Sequence, residues 1–93
     1  MCKIFAGQDP RRYESETRSI RLHGHSTSIR LEAAFWSQID QIARESDLTT
    51  PQFIAQLYDE VIELRGEVGN LASLLRCTCL IHAGCERPVA TAA

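Results

Sequence analysis

The tetrapeptide Ser-Ile-Arg-Leu occurs twice, at residues 19–22 and 28–31, and both copies carry chemistry on one side only. Strict alternation of apolar and polar residues is the pattern of a half-buried strand. In the first copy Ile20 and Leu22 share a face, with Ser19, Arg21 and His23 on the other. In the second copy Thr27, Ile29 and Leu31 share a face, with Ser26, Ser28 and Arg30 opposite. Each polar face sets a guanidinium among small hydroxyls. Arginine offers paired N–H donors that fit a phosphate or the edge of a guanine, and serine adds a short, permissive hydrogen bond. That is a surface for an anion, and DNA is the leading ligand.

Other reactive groups carry less. The cysteines are Cys2, Cys77, Cys79 and Cys85, and three of them cluster near the end of the chain. This spacing does not resemble a disulfide framework, and the repeated short gaps of zinc sites are missing. Cys79, His82 and Cys85 could meet one metal at the end of a helix, but Cys79 reads more simply as a small core residue. No metal and no cofactor is expected. His23 and His25 flank Gly24 as turn residues. There is no glycine-rich phosphate loop and no paired nucleophile and base, and 93 residues leave little room for a substrate pocket. A non-enzyme is expected.

The net charge of −2 hides an uneven distribution. Residues 1–31 hold six bases against three acids, whereas residues 32–93 hold four bases against nine acids. A cationic front on an anionic body suits a protein that meets DNA with one end. Lys3, Arg11, Arg12, Arg18 and Arg21 would add contacts to phosphates. No apolar run approaches the ~20 residues needed to span a bilayer, and the first residues turn polar too soon for a secretory signal. A cytoplasmic protein without membrane contact is expected.

These groups need elements to position them. Residues 1–16 lack periodicity and read as an N-terminal arm, 17–85 as one domain, and 86–93 as a flexible tail. If Gly24-His25 is a two-residue type II′ turn, the two strands form a hairpin in which Ile20 faces Ile29 and Arg21 faces Ser28. The first helix runs from Glu32 to about Ser46, with Phe35, Trp36, Ile39 and Ile42 on its apolar stripe. Thr50 and Pro51 then start a second helix. Ile54, Leu57, Val61, Leu64, Val68, Leu71 and Leu75 recur at alternating steps of three and four. That spacing predicts a single helix from 51 to about 80, with a seam long enough for association.

A strand, a helix, a turn and a second helix over residues 27–64 resemble the ribbon-helix-helix (Arc/MetJ-like) family. The likeness to a group of short, uncharacterised bacterial members extends further. It takes in Met1-Cys2-Lys3-Ile4-Phe5, Asp9-Pro10, Thr17-Arg18-Ser19, Thr27-Ser28-Ile29-Arg30-Leu31-Glu32 and Phe35-Trp36. The resemblance implies an α+β, mostly helical fold: a ribbon-helix-helix dimer, here with an extra N-terminal strand and an extended second helix. It implies a homodimeric, DNA-binding transcriptional regulator in which Ser26, Ser28 and Arg30 contact bases. Thr49, Thr50 and Gln52, at the start of the second helix, would join Arg18 and Arg21 in contacting phosphates. Ile29, Leu31, Phe35, Trp36, Leu57, Val61 and Leu64 would form the dimer interface. The long helix leaves room for a higher oligomer or for a protein partner, as in the antitoxins of that family. One departure bears on this. If the first strand pairs beside the second, a dimer would carry four strands spanning roughly 14 Å, against a major groove of about 12 Å.

Overall fold

The two repeats do fold back on each other, but the hairpin closes one residue earlier than expected. The computed structural model describes residues 3–84. Strand β1 (Ser15–Leu22) pairs antiparallel with β2 (His25–Glu32), and the turn is His23-Gly24 instead of Gly24-His25. Both turn residues have positive φ, +50° and +82°. That is the type I′ pattern, whose twist matches the strands it joins. Histidine tolerates this left-handed conformation better than most side chains, and glycine adopts it freely. Ile20 therefore faces Thr27, Ser19 faces Ser28 and Arg18 faces Ile29. Moving the turn by one residue moves each partner by two, so inward and outward faces are unchanged.

Helix α1 (Lys3–Ala6) and a 3-10 turn (Pro10–Tyr13) precede the hairpin. Asp9 caps that turn, and the Ala33 N–H donates to the Glu14 carbonyl, tying the arm to the start of α2 (Ala33–Glu45). Helix α2 buries Trp36, Ile39, Ile42 and Ala43. It stops where Asp47 turns left-handed and the Leu48 N–H returns to the Ala43 carbonyl.

The predicted long second helix is two helices. Helix α3 (Thr50–Arg65) ends at Gly66, whose φ of +85° and N–H bond to the Ile62 carbonyl close its last turn. Asn70 then caps α4 (Leu71–His82) by accepting from the Ser73 N–H. A residue with φ near +85° leaves the α-helical region, so α3 cannot continue past it. The start of α3 also shifts. Thr49, not Thr50, is the N-cap, in a reciprocal capping box with Gln52.

Both Ser-Ile-Arg-Leu copies contribute to one core. Ile20, Leu22, Ile29 and Leu31 from the hairpin meet Trp36, Ile39 and Ile42 from α2, Ile54 from α3, and Leu75 and Cys79 from α4. The hairpin thus lies over the helices with its polar face outward. No helix among the described residues is long and apolar enough to cross a membrane. The tail assigned to 86–93 lies outside the described residues.

Candidate nucleic-acid interface

The outward face of the hairpin is built from alternate residues of both strands. Thr17 lies opposite Arg30, Ser19 opposite Ser28, and Arg21 opposite Ser26. All six are exposed. Among the described residues neither Arg21 nor Arg30 makes an ion pair. By contrast, Arg11 is held by Asp9, Arg18 by Glu16 and Asp40, and Arg76 by Glu32. Two free guanidiniums therefore stand at diagonal corners of a patch floored by hydroxyls. Four residues of strand separate them, roughly 14 Å at ~3.4 Å per residue.

Arg18 does not belong to this patch. It sits on the inward face of β1, opposite Ile29. Its guanidinium lies 4.4 Å over the Trp36 ring and donates to both Asp40 oxygens, at 2.8 and 3.2 Å, and to Glu16 at 2.8 Å. Residue 18 has the parity of Ile20 and Leu22, so its inward direction follows from the alternation itself.

The phosphate grip expected at the start of α3 is also taken up within the chain. The Thr49 hydroxyl accepts the Gln52 N–H, and the Gln52 side chain accepts the Thr49 N–H. Pro51 has no N–H to offer. Thr50 donates its hydroxyl to Asp40 at 2.7 Å. An anion is already present there, and it is a carboxylate. Burial works to raise the Asp40 carboxyl, but the bonds from Arg18 and Thr50 outweigh it and hold it below the usual carboxylate range. Asp40 is the residue that sequence reasoning missed. Its one signal is its place four residues after Trp36, beside the apolar stripe.

The expected dimer interface divides. Ile29, Leu31 and Trp36 are 3%, 0% and 1% exposed within one chain, so a second copy cannot reach them. Strand β1 and helix α4 provide the cover that a partner was expected to give. The Trp36 indole N–H is satisfied at home, donating to the Glu16 carbonyl at 2.8 Å. Phe35, Leu57 and Val61 are half-buried, and Leu64 is 60% exposed. These four remain accessible.

Cys79 and His82 face different partners. The Cys79 thiol is buried, 3.8 Å from the Phe35 carbonyl, and burial pushes its pKa up to about 11. His82 bridges Gln38 and Glu45 on α2. Cys85 lies outside the described residues. At the hairpin tip, His23 meets Asp59 of α3.

A ribbon-helix-helix domain model matches residues 15–83. The solved structure of an uncharacterized protein from Bordetella pertussis Tohama I is similar to this chain, with 38% sequence identity and a TM-score of 0.83. The likeness covers 99% of this chain and 77% of that one. No curated protein matches.

Proposed function

The chain belongs to the ribbon-helix-helix family, and from that premise we propose that it is a homodimeric DNA-binding transcriptional regulator. It acts by binding and not by catalysis, in the cytoplasm. The observation that carries the reading is the pair of unpaired arginines, Arg21 and Arg30, on an exposed face otherwise made of Thr17, Ser19, Ser26 and Ser28. Between the two arginines that face carries only neutral hydroxyls, and the one carboxylate at its end, Glu32 beyond Arg30, is held by Arg76. Ser26, Ser28 and Arg30 contact base edges, and Arg21 holds the backbone. Two chains associate through the accessible stripe of Leu57, Val61 and Leu64 on α3.

Binding of labelled genomic fragments, titrated with salt, tests this. Affinity should fall steeply as salt rises, because each neutralised phosphate releases counterions. Arg30→Ala should relax sequence preference as well as weaken binding. Absence of binding at low salt refutes the reading.

A second reading has its own observation. The C-terminal half of α3 exposes Ile62 and Leu64 among Asp59, Glu60 and Glu63. An apolar strip set in acids suits a protein partner. In that case a stoichiometric partner would co-purify and be lost in Leu64→Asp, with the hairpin face unaffected.

A further inference from the structure

A cavity of about 340 Å³ opens where the N-terminal arm meets the start of α2 and the end of α4. Its walls are apolar: Ala34 and Phe35 of α2 face Cys79 and Leu80 of α4, with Ala83 just beyond. The arm closes the remaining side with Gln8, Arg12 and Tyr13. Neither DNA contact nor association through α3 uses this chamber. It gathers two residues that the sequence assigned elsewhere, Arg12 to phosphates and Phe35 to a dimer interface.

The charges around the cavity do not cancel. Glu32, at one edge, accepts from the Arg76 Nε at 3.1 Å. The Cys79 thiol is neutral, because burial pushes its pKa up to about 11. Gln38 carries no charge, and its amide is engaged by His82, which also meets Glu45. Arg12 is left over. Its Nε donates to the Gln8 Oε1 at 3.2 Å, and among the described residues it makes no ion pair. The acid nearby in sequence, Asp9, is held by Arg11 at 2.8 Å. An apolar chamber with one uncompensated cation at its mouth suits an amphipathic anion, since the walls give burial and the few polar groups give orientation.

We propose that this cavity binds a small planar aromatic carboxylate, with its rings against Phe35 and Leu80 and its carboxylate on Arg12. An apolar cavity of about 150 Å³ holds benzene, so a chamber about twice that size takes two fused rings. Guanidinium binds carboxylate through two parallel N–H bonds. Phe35 and Tyr13 favour an aromatic body over an aliphatic one, because ring pairs gain more than their buried area alone. Such a site does not depend on DNA binding. The arm runs directly into β1, and the Glu14 carbonyl already accepts the Ala33 N–H, so an occupant braces the base of the hairpin.

The probe is 2-naphthoate, with 2-naphthalenemethanol as its uncharged counterpart, each titrated into the full isotope-labelled chain and followed by amide NMR. The expected result is saturating shifts at Ala34, Phe35, Leu80 and Ala83. Naphthoate should bind about 5-fold more tightly than the alcohol, the effect of one exposed ion pair. Arg12→Gln should abolish that preference and leave alcohol binding unchanged, which also shows that the variant keeps its cavity. Arg12→Lys, which keeps the charge, should retain the preference. Shifts that do not saturate, saturating shifts that map outside these walls, or a preference that persists in Arg12→Gln overturn the assignment. So does movement of the same amides on dilution of the chain alone, which would mean that a second copy fills the cavity.

Discussion

Replacing Asp40 with alanine removes three hydrogen bonds that join β1, α2 and α3. Two come from Arg18 and one from Thr50. A charge-assisted bond contributes about 1.5–3 kcal/mol when well buried, and an exposed ion pair less than about 1. Arg18 and Asp40 keep 33% and 29% of their side-chain surface, which discounts the pair to about 1.5 kcal/mol. The Thr50 bond adds about 0.5 kcal/mol. Asp40→Ala should therefore lower stability by about 2 kcal/mol, or the melting temperature by about 10 °C for a domain of this size. Urea unfolding followed by the fluorescence of Trp36, the one tryptophan, measures it. The pH dependence has a defined sign. Asp40 is held below its ordinary value in the fold, so its contribution is full above about pH 4 and vanishes as pH falls through the folded value. Wild-type and variant curves should converge in acid. A loss under about 0.5 kcal/mol, or strict additivity of Arg18→Ala with Asp40→Ala, would show that the network does not couple the three elements.

Four further outcomes can be checked. Trp36→Phe should cost about 1 kcal/mol through the lost bond to the Glu16 carbonyl, and it should leave self-association unchanged by light scattering, as befits a residue sealed inside one chain. Gly66→Ala should destabilise by about 1 kcal/mol or more in denaturant, because its φ of +85° strains any side chain; a gain in stability would mean that α3 and α4 prefer to be continuous. Thr49→Ala should cost about 1 kcal/mol through loss of the capping box. In peptide mapping after alkylation, the exposed Cys77 should react in the native protein and the buried Cys79 only in denaturant.

The face of each strand was legible because alternation has a period of two, and a register moved by two residues keeps every side chain on its side. The turn itself was not, since Gly24-His25 and His23-Gly24 both satisfy that parity. Type I′ and type II′ turns both match the twist of the strands they join, so the local turn residues do not separate them. The break at Gly66 was hidden by apolar residues that keep helical spacing across it. Val68 continues the count from Leu64 to Leu71, although it lies in the loop between two helices. Ile29, Leu31 and Trp36 read correctly as apolar contact residues, but their partner could not be told from spacing. Burial by β1 and α4 depends on contacts distant in sequence. Two members of the predicted phosphate set, Arg18 and Thr50, are engaged by Asp40, a single acid between elements that the sequence treats separately, while Thr49 and Gln52 engage each other.

Arg18 has one more consequence, for solubility. A two-stranded sheet leaves the outer rim of β1 with unsatisfied backbone donors and acceptors, a template for stray strands and for fibrils. An inward-pointing charge is one of the devices that discourage pairing at such an edge, and Arg18, caged by Trp36 and Asp40, places one there. Exchanging Arg18 for valine would improve strand propensity locally while removing that guard, and the protein would become more prone to aggregate as it gained sheet.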